Sequence, residues 1–193
     1  ASEARKSSLV EVLLNANADI NAFDRHHGTF GIIRAAQLGD VGLLKALVAA
    51  GRDVNVQKPT GEIPLISAAR VGKTEAVQFL LDSGAKVDAQ DSQGMTALAL
   101  AAAWGHTNTV RVLERANANK EAKDINGNTP LMQATFGNRV ATVEALRDAG
   151  ARTDVVNENG QTAVAISASR GFNDLSRYLL RGAVEDSKRQ KLE

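Results

Sequence analysis

The sequence contains no cysteine, and this absence excludes several kinds of site at once. Without thiols the chain has no disulfide framework, no thiolate metal site and no cysteine nucleophile. Cysteine-free chains occur in oxidising and reducing compartments alike, so the compartment stays open.

The sequence also lacks a surplus of charge of either sign, and it lacks long apolar runs. The 23 basic and 22 acidic residues leave a formal net charge of +1, which gives no electrostatic footprint for nucleic acid or an anionic membrane. No apolar run approaches the roughly 18 residues that a spanning helix needs, and no secretory leader opens the chain. We therefore expect a soluble protein that binds neither nucleic acid nor membrane.

Aromatic side chains are scarce, with one Trp, one Tyr and five Phe. Single-stranded nucleic acids stack on aromatic platforms, and this composition offers no such surface. The 193 residues are nevertheless 44% hydrophobic, which is enough to build a core.

Glycine, in contrast, recurs with a period of 33 residues, at Gly28, Gly61, Gly94, Gly127 and Gly160. Two residues after each glycine lies a position that we call the anchor, occupied by Phe30, Ile63, Thr96, Thr129 and Thr162. Seventeen residues after the anchors come Leu47, Leu80, Leu113, Leu146 and Leu179. A unit of this length cannot bury its own apolar faces, so the period predicts a stack of similar units.

Each unit reads as a turn, a short helix, a tight loop, a longer helix and an extended return. The loop and the end of the second helix need left-handed backbone, which Gly supplies freely and Asn tolerates. We expect this conformation nine residues after the anchors, at Gly39, Gly72, Gly105, Asn138 and Gly171. We expect it again after the second helices, at Asn17, Gly51, Gly84, Asn117 and Gly150.

The segment Gly72-Lys73-Thr74 is similar to the end of a nucleotide-binding loop, in which a glycine-rich turn and a lysine hold phosphates. The full signature needs a second glycine five residues before Gly72, and that position is Ser67. Lys73 also occupies a position that is Asp40 in one neighbouring unit and His106 in another. We therefore predict an interhelical loop that does not bind ATP.

The repeated unit resembles the ankyrin repeat, which runs D-x-x-G-x-T-P-L-H-x-A-A-x-x-G-H and ends L-L-x-x-G-A-D-V-N-A. The stretches DSQGMTALALAAAWGH from Asp91, DINGNTPLMQAT from Asp124, LLDSGAKVDAQD from Leu80 and LLNANADINAFD from Leu13 carry the resemblance. It implies an all-α solenoid of stacked helix-turn-helix units with β-hairpin-like tips. On this pattern we place repeats at about 1–24 (partial), 25–57, 58–90, 91–123, 124–156 and 157–183, with a charged tail at 184–193.

The sequence departs from the family pattern at the histidine, which is replaced by Ile33, Ile66, Ala99, Met132 and Ala165. We expect apolar packing there in place of the Thr–His hydrogen bonds that link neighbouring units in the family. The segment 24–28 holds one residue more than the matching DSQG, so we expect the first hairpin tip to bulge.

Candidate catalytic and metal-binding groups are few. His26 and His27 are adjacent, so their side chains diverge, and no Asp, Glu or His recurs near them at metal-ligand spacing. We interpret them as an exposed loop pair and expect no catalytic residue, no metal site and no cofactor. An enzyme would need a pocket with convergent polar groups, and nothing in the sequence indicates one.

Apolar residues at positions that are normally solvated indicate a binding surface. Leu38, Val71 and Trp104 lie eight residues after their anchors, Phe136 lies one residue earlier in its unit, and Met95 and Ile125 lie on hairpin tips. We call these six residues the apolar strip and expect them on the concave side of the solenoid. The polar rim beside them comprises Gln57, Glu62, Arg70, Gln93, Lys123 and Arg170, among which we single out Arg70 and Arg170 as binding residues. Such a strip typically marks a protein contact, the alternative being packing between adjacent units.

These patterns favour a monomeric, non-catalytic module that binds a folded protein partner. The family includes exported bacterial proteins that restrain enzymes of their own cell. By that resemblance, one expectation is an inhibitor that occludes the active site of an enzyme, in a bacterial periplasm or cytoplasm. The alternative is a scaffold or an intramolecular domain of a larger protein.

Overall fold

The computed structural model describes the backbone of residues 31–189 and the side chains of residues 31–184. Several predictions lie outside these residues. They are the partial repeat at 1–24, the left-handed Asn17, the bulged tip with His26 and His27, the first anchor Phe30 and the end of the charged tail.

The described residues form ten α-helices and no β-strand. The first helices of the successive pairs are α1 (Gly31–Leu38), α3 (Pro64–Arg70), α5 (Ala97–Trp104), α7 (Pro130–Phe136) and α9 (Ala163–Ser169). The second helices are α2 (Val41–Ala49), α4 (Thr74–Asp82), α6 (Thr107–Arg115), α8 (Val140–Asp148) and α10 (Asn173–Arg189). An isolated antiparallel bridge joins Gln90 and Thr96 where a hairpin tip was predicted.

The pairs stack into two layers, because each first helix packs on the next first helix, and the second helices α2, α4, α6 and α8 pack on one another in the same order. The leucines at the 33-residue period lie between the layers, and each of Leu47, Leu80, Leu113, Leu146 and Leu179 is at most 1% exposed. This confirms the predicted buried second helix and gives an all-α solenoid.

Left-handed backbone occurs where the sequence predicts it. The glycines of the interhelical loops, Gly39, Gly72, Gly105 and Gly171, have φ between +68° and +78°, and Asn138 has φ of +51°. The residues after the second helices follow the same rule, with φ of +59° at Asn117 and between +75° and +87° at Gly51, Gly84 and Gly150. The loops are therefore fixed by residues that adopt this conformation at little cost.

Apolar packing replaces the family histidine in all described pairs except the last. Ile33, Ile66, Ala99 and Met132 are at most 2% exposed. The expectation is wrong for Ala165, which is exposed because no described helix pair follows α9 and α10. The anchor threonines cap their own helices instead, with the Thr96 hydroxyl accepting a hydrogen bond from the Ala99 amide at 3.1 Å.

Candidate functional site

Four residues of the apolar strip are exposed to solvent. Leu38 and Trp104 are the last residues of α1 and α5, and Val71 directly follows α3. Their exposed fractions are 54%, 57% and 38%, and Ile125 on a hairpin tip reaches 60%. Packing between units therefore does not account for these four side chains, since the units leave them uncovered.

Met95 and Phe136 differ from the rest of the strip, because both are half-buried. The Met95 sulfur accepts a weak hydrogen bond from Gln133 Nε2 at 3.6 Å. The Arg170 guanidinium lies 5.1 Å from the centroid of the Phe136 ring, a cation–π geometry, and Nη1 donates to the Phe136 carbonyl at 3.4 Å. One face of this aromatic ring is thus covered by the rim arginine that follows it.

Arg70 forms an ion pair within the protein, and 40% of its side chain remains exposed. Its guanidinium pairs with Glu62, which also accepts from Lys58 Nζ at 2.7 Å and from the Ser67 hydroxyl at 2.6 Å. Burial alone raises the pKa of Glu62, but the hydrogen bonds from Lys58 and Ser67 and the charges of Arg70 and Lys58 outweigh it, so the pKa is lowered. Glu62 is therefore a structural anion that orders this part of the polar rim.

The hairpin tips are tied to one another by backbone hydrogen bonds. The amide of Ser92 donates to the Thr60 carbonyl at 2.8 Å, and the amide of Ile125 donates to the Gln93 carbonyl at 3.1 Å. The next pair of tips repeats the bond from Glu158 to Asn126 at 3.0 Å. These hydrogen bonds fix the position of each tip, including the tip that carries Ile125, relative to the next one in the unbound protein.

Val156 is a further exposed apolar residue that the sequence does not single out. It is 47% exposed, and its carbonyl accepts from Lys123 Nζ at 2.9 Å. Val156 stands 33 residues after Lys123 and 99 after Gln57, two rim residues, so the period itself carried the signal. Exposed apolar side chains therefore occur next to the hairpin tip that follows Ile125 as well.

The segment Gly72-Lys73-Thr74 is the predicted interhelical loop, with Lys73 directly before α4. A shallow groove of about 260 Å³ lies here, lined by residues that include Gly39 and Gly72. The aliphatic stem of Lys73 packs on Gly39 of the preceding loop, where an added Cβ would lie 2.7 Å from Cδ. The lysine therefore extends over the neighbouring loop, whereas a phosphate-binding lysine would point into its own.

Metal-binding clusters and membrane-spanning helices are both absent from the part of the chain that the structure describes. No group of three or more His, Asp or Glu residues there is placed to hold a metal ion. None of the described helices has the length and apolar character needed to cross a membrane.

Comparison with known proteins agrees with the repeat pattern. No curated protein matches the chain. A family model described as ankyrin repeats (3 copies) matches residues 32–124 and again residues 114–190, which together span most of the sequence. The same stretch holds the stacked helix pairs, the left-handed loop residues and the capping threonines. The chain therefore belongs to the ankyrin repeat family, whose repeats form a protein–protein interaction module.

Proposed function

We propose that this protein binds a folded protein partner through the concave face of its solenoid, with the apolar strip at the centre of the contact. The observation that carries this proposal is the exposure of Trp104, which is 57% accessible at the end of α5. Leu38 and Val71 occupy matching positions in the two preceding pairs and are exposed as well. Contiguous exposed apolar groups with a polar border are typical of interaction sites, and Trp is enriched among the residues that dominate binding energy.

The order of the surrounding surface supports tight binding by a small apolar area. The linked tips and the pairs Glu62–Arg70 and Phe136–Arg170 hold the surface in one arrangement. A preorganised surface loses little conformational entropy on association, so more of the contact energy contributes to affinity. We also propose the repeat boundaries given above. Arg70 and Arg170 are proposed as contact residues at the polar rim.

We further propose that the partner is an enzyme and that the protein inhibits it by covering the entrance of its active site. An extended, rigid surface centred on one Trp suits this role, because it can span an opening without entering it. A scaffold would use the same surface and leave the turnover of its partner unchanged, so the two functions differ in one measurable quantity.

The experiment starts from a partner captured from the native source with the full chain as bait and identified by mass spectrometry. We expect Trp104→Ala to weaken its binding by about 2 kcal/mol or more, which is roughly 30-fold in Kd. Val140→Ala is the matched control, because Val140 is 44% exposed but lies at the start of α8 rather than on the strip. Both variants should keep the wild-type melting temperature.

Normal binding by Trp104→Ala together with a large fall in its melting temperature would place Trp104 in the core and end the proposal. If the captured partner is an enzyme, its turnover is followed at increasing concentrations of the protein. Dose-dependent loss that Trp104→Ala relieves supports inhibition, whereas unchanged turnover at full binding leaves a scaffold.

A further inference from the structure

A basic side chain lies over each loop glycine that follows an exposed residue of the apolar strip. Leu38, Val71 and Trp104 each directly precede such a glycine in the chain. A Cβ added to any of these glycines would come within 2.8 Å of a side chain of the next helix pair. The covering residues are Lys73 at Gly39, His106 at Gly72 and Arg139 at Gly105. An apolar row and a basic row therefore run side by side along the interhelical loops.

Around Trp104 the basic row meets two aromatic side chains. The Arg139 side chain crosses the glycine that follows Trp104, and its Nε donates to the carbonyl of Ala103, which precedes Trp104, at 3.3 Å. The Arg170 guanidinium lies over the Phe136 ring of the following pair of helices. We call Trp104, Phe136, Arg139 and Arg170 the aromatic–arginine cluster.

Both arginines keep most of their hydrogen-bonding capacity for an external ligand. Each is exposed, and a guanidinium carries five N–H donors. The described residues accept one hydrogen bond from Arg139, through Nε, and one from Arg170, through Nη1. None of the ion pairs within the described part of the chain includes either arginine. The two Nη groups of Arg139 are therefore available to an incoming acceptor.

The charge of Arg139 is not balanced by carboxylates in the neighbouring loops. The segments 100–109 and 133–142, which hold the third and fourth interhelical loops, contain no Asp or Glu. The first two loops differ, because Asp40 lies in one and Glu75 closely follows the other. Since the whole chain has a net charge of only +1, this positive charge is a local feature. A ligand that gains from it should be anionic where it meets Trp104 and Arg139.

Two classes of anionic macromolecule, acidic proteins and nucleic acids, differ in what else they need. Nucleic acids bind to extended basic surfaces, and their bases stack on several aromatic faces. In the cluster Arg170 occupies one face of Phe136, and only Trp104 is largely exposed. A carboxylate needs a single planar guanidinium, which it meets with two parallel hydrogen bonds. The cluster thus fits a protein segment better than a nucleic acid.

We propose that the aromatic–arginine cluster binds an acidic segment of the protein partner. An Asp or Glu carboxylate of that segment pairs with Arg139, and a neighbouring apolar side chain packs on Trp104. The inference rests on the proposed binding function of the apolar strip and adds the chemistry of its partner. Charge pairs at such a contact speed association and confer specificity, and salt screens their contribution.

The probe that tests this is a random dodecapeptide library, displayed on phage and selected on the full wild-type chain. We expect enrichment of peptides in which Asp or Glu adjoins Leu, Phe or Trp. One such peptide is then synthesised with a fluorescent label, and its Kd is measured by anisotropy. The Kd should rise between about 50 and 500 mM NaCl, because the screening length becomes shorter than the reach of an exposed ion pair.

Three variants locate the contact. Arg139→Glu should raise the Kd of the peptide by about tenfold or more, because it places a like charge where the carboxylate binds. Arg139→Lys should recover part of the loss, since it restores the charge without the planar fork. Lys86→Glu is the matched control, because it changes the net charge equally at an exposed position beyond the far end of α4. Melting temperatures of all three variants check that the fold is retained.

The outcomes separate this inference from the proposed function. Selected peptides without acidic residues overturn the inference, and so does a library that yields no binder. A peptide that loses binding in Trp104→Ala but keeps it in Arg139→Glu overturns the inference and leaves the function of the strip standing. Equal losses in Arg139→Glu and Lys86→Glu indicate a general effect of net charge and overturn it too. Tighter binding of single-stranded oligo(dT) of equal charge would identify a nucleic-acid site instead. A peptide that Trp104→Ala does not affect would count against the strip itself.

Discussion

At the scale of the single residue, two independent constraints require glycine at position 72. Its φ of +68° lies in the left-handed region, where a side chain costs roughly 1 kcal/mol or more. An added Cβ would also lie 2.5 Å from Nδ1 of His106, whose ring covers this loop from the next pair. The similarity of this segment to a phosphate-binding loop thus has a structural explanation, in which the glycine makes room for a neighbouring unit.

We predict that Gly72→Ala destabilises the protein more than Gly84→Ala does. Gly84 has φ of +87° and no atom within 4 Å of an added Cβ, so the alanine there meets backbone strain alone, about 1 kcal/mol. At Gly72 the displacement of His106 adds to that strain. Urea unfolding of the two variants measures the difference, and His106→Ala in the Gly72→Ala background should recover part of it. Equal losses for the two alanine variants would show that the His106 ring moves aside without cost.

The side chains of Glu62 and Glu114 should make the stability of the protein depend on pH in opposite directions. Glu62 has a lowered pKa in the folded protein, so its contribution to stability is fully present above the ordinary value of 4.5 and is lost as pH falls through the folded pKa. Burial raises the pKa of Glu114 despite the nearby charges of Lys120 and Arg111, and its Oε1 is buried without a hydrogen-bond partner. The Glu114 carboxylate therefore costs stability that appears as pH rises through its folded pKa.

We expect Glu62→Gln to destabilise the protein at neutral pH and to approach the wild type below pH 4.5. Glu114→Gln should do the reverse, with a gain at neutral pH that disappears in acid. Melting temperatures of both variants and the wild type, measured between pH 3 and pH 7, test both expectations. A lower melting temperature of Glu114→Gln than of the wild type at neutral pH would contradict the destabilisation that we assign to the Glu114 carboxylate.

At the scale of the element, hydroxyl pairs join the second helices across neighbouring units. The hydroxyls of Thr74 and Thr109 are 2.9 Å apart between α4 and α6, and those of Thr107 and Thr142 are 2.8 Å apart between α6 and α8. Thr109 and Thr142 are at most 1% exposed, so an unpaired hydroxyl there would remain desolvated. Each pair fixes how one second helix lies on the next.

We predict a coupling energy of about 1 kcal/mol between Thr74→Val and Thr109→Val in a double-mutant cycle of unfolding free energies. Each single variant leaves one hydroxyl without its partner, whereas the double variant leaves none. The cycle of Thr74→Val with Thr142→Val is the control, because those residues belong to different pairs and should be additive. Coupling of similar size in both cycles would indicate a general change in helix packing instead of a specific bond.

The elements that could be predicted from the sequence are those that the period encodes directly. Helix order, the left-handed loop residues and the buried leucines recur once per 33 residues, so one motif predicts each of them five times. The state of Arg70 depends on Glu62, a side chain of its own unit whose charge the repeat does not encode. The states of Met95 and Phe136 depend on side chains one unit away, such as Arg170 over the Phe136 ring. Contacts between units arise only after stacking, and the residues that make them differ from unit to unit. Val156 was missed for a different reason. Its phase was known, but the three preceding residues at that phase, Gln57, Gln90 and Lys123, are polar.

At the scale of the whole molecule, the exposed apolar residues Leu38, Val71 and Trp104 lie on the first three described helix pairs, one on each. They occupy the same position of the 33-residue period, so the stacking of the pairs places them in a row. A partner that bound along this row would therefore contact several helix pairs at once.

Each unit of a stacked array contacts only its neighbours. We therefore predict that a leucine truncation destabilises more of the solenoid in a central helix pair than in the last described pair. Leu113 in α6 and Leu179 in α10 are both fully buried, and removal of either should cost about 2–5 kcal/mol locally. α6 packs against α4 and α8, so Leu113→Ala should weaken contacts on both sides and speed amide exchange through most of the solenoid.

Leu179→Ala should instead speed hydrogen exchange in α9 and α10 alone, because no described helix pair lies beyond them. Hydrogen-exchange mass spectrometry of both variants at low micromolar concentration measures this difference peptide by peptide. If Leu179→Ala instead accelerates amide exchange uniformly along the whole chain, the array opens as one cooperative unit.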